Sequence, residues 1–173
     1  MTEAIYKSRR DFLAGSLAAL GSAGVPLNAF GAAGTRKLGE GPALVLYQPH
    51  DAHASAFADE LATAGFATLA LTDDPVRQWR DGLGALVLQQ DFVLLGLSNW
   101  SDYSVLRGLA AEHRRFPLLE CRQRKLAGTA WARACAHEIA SLATADDLQA
   151  GLQLLRRKAE APTAAPSLFS WII

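Results

Sequence analysis

This chain has no excess of charge of either sign. Over 173 residues, 17 Lys+Arg balance 17 Asp+Glu, so the electrostatic footprint of a nucleic-acid or anionic-membrane binder is missing. Cysteine is scarce: the two present, Cys121 and Cys135, cannot supply the thiolate set of a structural zinc or an iron–sulfur cluster. Their spacing is also far wider than the CxxC of a dithiol oxidoreductase. Glycine-rich phosphate loops are lacking. Gln48-Pro49-His50-Asp51-Ala52-His53 follows the first strand-like run without a single glycine, against the G-x-G-x-x-G of a dinucleotide site, and no P-loop with its lysine occurs. Gly96-Leu97-Ser98-Asn99-Trp100 lacks the glycine that a serine-hydrolase elbow places two residues after the nucleophile. No cofactor is expected from these absences, and no nucleic-acid partner.

What is present begins with Ser8-Arg9-Arg10-Asp11-Phe12-Leu13, ahead of an Ala- and Gly-rich apolar stretch from Phe12 to Leu27. Gly15, Ser16, Gly21, Ser22 and Gly24 dilute that stretch, which argues against a membrane span of roughly 20 predominantly apolar residues. Pro26 breaks a helix there, and small residues follow at Ala29, Gly31 and Ala33. The order of these features resembles a twin-arginine (Tat) export signal, with Arg9, Arg10, Phe12 and Leu13 in the motif and Ala14 where the family pattern has Lys. The resemblance implies recognition by the Tat translocase, cleavage after Gly31 or Ala33, and a periplasmic location reached by an already folded chain. The bland alternative is a basic, alanine-rich terminal helix. On this reading residues 1–33 are a signal, 34–160 one α/β domain, and 161–173 a Pro/Ala linker with an apolar tail.

Past the signal, short apolar runs alternate with amphipathic stretches. Ala43–Tyr47, Ala67–Leu71, Phe92–Leu97 and Pro117–Cys121 read as buried strands, and Phe92–Leu97, the most apolar, reads as central. Asp51 is placed to cap a helix carrying Phe57 and Leu61 and stopping at Gly65. Asp74 precedes Pro75 at the start of a second helix, which ends between Gly82 and Gln90. Val105, Leu106, Leu109 and Ala110 form the stripe of a third helix; Trp131, Cys135, Ile139 and Leu142 that of a fourth; Thr144 and Asp147 open one more. The alternation predicts a three-layer α/β/α sandwich around a mostly parallel sheet of four to five strands, flavodoxin-like or Rossmann-like in order, with the first and third strands adjacent. Ser167–Ile173 is too apolar to hang in water. It is expected either as an edge strand or clip on its own domain, or as a strand added to a partner through Phe169, Trp171, Ile172 and Ile173.

In such a sheet ligands bind beyond the carboxyl ends of the strands. That rule nominates His50, Asp51, His53, Asp73, Ser98, Trp100, Asp102 and Arg122. His50 and His53 are a weak metal pair that lacks a third ligand. Cys121 and Cys135 are either two buried thiols or a disulfide, which an oxidising compartment permits. Three functions follow as expectations. The first is a non-catalytic accessory protein binding a periplasmic partner, such as an oxidoreductase; the second a small-molecule or metal binder, or an enzyme, working at the strand ends; the third a thiol/disulfide redox protein.

Overall fold

The structure is a computed structural model that describes residues 37–38, 41–88, 92–124, 128–142, 151–153 and 167–173. The export-signal residues, the Thr144 cap and the 161–166 linker lie outside them. Its elements are β1 (Lys37–Leu38), β2 (Gly41–Tyr47), α1 (Ala52–Thr63), β3 (Ala67–Ala70), α2 (Pro75–Gln78) and α3 (Gly84–Val87). Then come β4 (Val93–Ser98), α4 (Trp100–Ala111), β5 (Leu119–Arg124), α5 (Ala130–Leu142) and β6 (Ser167–Ile172).

The chain is α/β, with a mixed sheet whose five main strands run β3-β2-β4-β6-β5. Strand β2 pairs in parallel with β3 on one side (Val45 opposite Thr68) and with β4 on the other (Val45 opposite Leu95). The expected adjacency of the first and third of the four apolar runs is therefore observed. The two-residue β1 pairs antiparallel with the start of β2. Beyond β4 comes β6, antiparallel to β4 and to β5 alike. Strand β5 thus points the same way as β2, β3 and β4 without pairing with any of them.

Two expectations are corrected here. The tail is a strand, but an internal one: it separates β4 from β5, so the flavodoxin-like order holds only for β3-β2-β4. Trp171, Ile172 and Ile173 are buried in their own sheet, and the surface they would have offered to a partner is used internally. Strand β3 is half-buried along its length, as its edge position requires, instead of fully buried. Strand β4 is buried at every residue, because both of its edges and both of its faces are covered.

Pleating sends Val45, Leu95, Leu97, Leu119, Cys121, Leu168 and Ile172 to one face. There they pack in a single cluster with Phe57, Ala58 and Leu61 of α1 and Ala132, Ala136 and Ile139 of α5. On the opposite face Trp171 fills the space over Gly96 and stacks on Tyr103 of α4, ring centroids 5.7 Å apart. The buried stripe of α4 is Tyr103, Leu106 and Ala110, while Val105 and Leu109 are only half-buried. Residues 75–87 stay helical through a bend at Gly82, whose φ of 139° is one that glycine adopts without strain. None of the described helices is long and apolar enough to cross a membrane.

Candidate functional site

Three helices begin at the carboxyl ends of the strands, and each is capped by its own sequence. The Asp51 carboxylate accepts from the backbone N–H of His53 at 2.8 Å and of Ala54 at 3.2 Å. Asp74 accepts from Arg77 N–H at 2.9 Å, with Pro75 behind it in the first turn, and Asn99 accepts from Asp102 N–H at 2.9 Å. Helix N-termini of this kind attract phosphates because their amides are unsatisfied and the helix dipole is positive there. In this chain a side-chain oxygen already takes two of those amides on α1 and one each on α2 and α4, and two of the three caps are carboxylates. A phosphate there would meet a carboxylate at two of the three starts.

Between these helix starts lies a cleft of about 360 Å³ lined by Gln48, Pro49, His50, Asp51, Leu71, Thr72, Asp73 and Asp102. It sits where the chain, having placed β3 on one side of β2, crosses to place β4 on the other; this is the reversal point at which open α/β sheets bind ligands. Gln48 leaves β2 and donates its side-chain N–H to the Asp102 carboxylate, joining the end of β2 to α4 across the cleft floor. Burial pushes the Asp102 carboxyl above its ordinary value, against the opposing pull of the Gln48 hydrogen bond. The opposite wall is held by Gln78, which donates to Ala70 carbonyl oxygen at 2.9 Å and accepts from Thr72 N–H at 3.0 Å. The Thr72 hydroxyl donates to Asp74 carbonyl oxygen at 3.1 Å.

Of the residues nominated from sequence, His50, Asp51, Asp73 and Asp102 come together here. The other four do not line the cleft. His53 turns toward α5, its ring 5.2 Å from Trp131, so it is not paired with His50. Among the described residues no group of three His, Cys, Asp or Glu is placed to hold a metal ion. Ser98 is 0% exposed; its hydroxyl accepts from Trp171 indole N–H at 3.0 Å and donates to Asn99 carbonyl oxygen at 3.2 Å. That is the setting of a core hydroxyl, not of a nucleophile or a ligand contact. Trp100 is 51% exposed, packed on Phe169 at 4.9 Å and Tyr103 at 5.8 Å, on the β6 side of α4. Arg122 is exposed on β5, beyond β6 from the cleft, opposite Phe169. Gln48 and Thr72 lie on the strand-end loops that the rule picks out, whereas the bracing Gln78 was not nominated. The signal available for Gln48 and Thr72 was position alone, as polar residues at the ends of β2 and β3.

The cleft therefore offers three carboxylates, a carboxamide, an imidazole and a hydroxyl, with no Lys or Arg in its lining. No protein family, curated protein or solved structure matches the chain.

Proposed function

We propose that this chain is an exported α/β domain that binds a small ligand bearing amino or hydroxyl groups in the cleft of Gln48, His50, Thr72, Asp73 and Asp102, without a catalytic step. The observation that carries the reading is an acidic cleft flanked by helix starts that are already capped, two of them by carboxylates. At about 4 Å, two like charges repel by roughly 4 kcal/mol at the effective dielectric of a protein surface, and an ammonium gains as much. Phosphates and carboxylates are disfavoured accordingly, while amines and polyols find acceptors. Export through the Tat route and a three-layer arrangement, with α1 and α5 on one face and α2 to α4 on the other, belong to the same proposal. The Ser8–Leu13 motif and the diluted apolar stretch after it support the first, and the two packed faces of the sheet the second.

Calorimetry and thermal shift on the purified chain test it, with diamines, amino sugars and neutral sugars in one set and nucleoside phosphates and dicarboxylates in the other. We expect binders only in the first set, and Asp102→Asn to weaken an amine at least tenfold, the worth of a hydrogen bond to a charged group. Tight binding of a phosphate that survives Asp102→Asn would overturn the reading.

A second reading keeps the accessory role, because Trp100 presents an exposed ring at the start of α4 on a firm aromatic base of Tyr103 and Phe169. In that case Trp100→Ala abolishes recovery of a periplasmic protein partner and leaves ligand binding in the cleft unchanged.

A further inference from the structure

Away from the cleft, both thiols lie at the same hydrophobic cluster. Cys121 is buried on the β5 face turned to α5, within the cluster that contains Ala132, Ala136 and Ile139. Cys135 packs on that cluster from α5, three residues after Ala132 and four before Ile139, hence on the same helical face. The surface around them is small: Ala132 and Ala136 are fully buried, and the cross-strand neighbour of Cys121 on β6 is the buried Ser170. A disulfide needs Cα atoms within about 7 Å, and side chains this small put little bulk between the helix and the strands to hold them apart. The thiols also feel one another. Cys135 is pushed up to about 11, first by burial, then by Glu138 and by Cys121 itself. Neither residue is in a disulfide in the structure.

We propose that Cys121 and Cys135 close an intramolecular disulfide that staples α5 to the edge strand β5 when the folded chain meets a disulfide-bearing oxidant. The Cys135 thiolate, the more accessible of the two, attacks one sulfur of the oxidant, breaking its S–S bond and releasing one thiolate. Cys121 then gives up its proton and attacks Cys135 Sγ, displacing the second thiolate. The protein loses two electrons and two protons, and the oxidant leaves as two thiols. Because the thiolate of Cys135 is rare at neutral pH, closure of the folded chain is slow and quickens about tenfold per pH unit up to about pH 10. The staple is independent of anything bound in the cleft, so its fate does not decide that of the binding proposal.

The experiment equilibrates the full chain with glutathione disulfide by two routes, folded at pH 9 and during refolding from denaturant, and then counts thiols by alkylation and mass. The expected product has no alkylatable thiol, lacks two hydrogens and yields a Cys121–Cys135 linked peptide. Its melting temperature rises by roughly 10 °C, from the loop the bond closes. Cys135→Ser and Cys121→Ala each give no link, and circular dichroism checks that they fold. If both thiols stay alkylatable, or only glutathione adducts or interchain dimers form, by both routes, the proposal is overturned. A link that leaves the melting temperature unchanged or lower overturns the staple.

Discussion

At the scale of single residues, the rim separates side chains with the same sequence credentials into different jobs. Ser98 ends the central strand and Asp102 lies in the first turn of the helix after it, but Ser98 is sealed beneath Trp171 and Asp102 opens on the cleft. Ser98→Ala leaves the Trp171 N–H without its acceptor, so urea unfolding is expected to show a loss of about 1–3 kcal/mol with ligand affinity unchanged. Asp102 behaves in the opposite way. Its folded carboxyl holds a proton more tightly than the unfolded one, so its contribution to stability is present at low pH and is lost as pH rises through the raised value. Asp102→Asn is therefore expected to melt higher than the parent at neutral pH. The gap should close as pH falls below the ordinary carboxylate range, and the weakening of amine binding should shrink over the same range as the parent carboxyl is itself protonated.

At the scale of elements, the central strand carries a glycine because its neighbour carries a tryptophan. A Cβ on Gly96 would lie 2.6 Å from Leu46 carbonyl oxygen and 2.6 Å from the Trp171 ring, so backbone and a buried ring would both have to move. Gly96→Ala should cost at least about 1–3 kcal/mol in denaturant unfolding, against a gain for the same change in an ordinary strand. The helical segments follow local chemistry closely. Asp51 and Asp74 start their helices as their positions in the sequence indicate, since a cap and its amides lie within three residues of each other. The bend at Gly82 was legible only as a weakening, because glycine permits a break without specifying it.

At the scale of the whole molecule, β6 holds the sheet together. It supplies both neighbours' hydrogen bonds, and without it β5 has no strand to pair with. Leu168, Trp171, Ile172 and Ile173 are all buried, and at about 1.5–3 kcal/mol per side chain their burial matches the typical 5–15 kcal/mol stability of a domain. A chain ending at residue 166 is expected to show no cooperative thermal transition and no near-ultraviolet dichroism. The cue was present in composition. Strand β5 alternates Leu119 and Cys121 with Glu120 and Arg122, the pattern of an exposed edge, whereas residues 168–173 bring no charge at all, the pattern of an interior strand.

The sequence by itself determined the α/β class, the Asp51 and Asp74 helix caps, the central place of β4 and four residues of the cleft, because each depends on neighbours a few positions apart or on burial of an apolar run. Only the tertiary structure decided that the tail enters between β4 and β5, that Ser98 faces Trp171, that His53 leaves His50 for Trp131, and that Gln48 reaches Asp102. These contacts join residues that are mostly far apart in the chain. Strand order and side-chain direction at a crossing are set by how whole faces pack, and no local pattern of residue types encodes that choice.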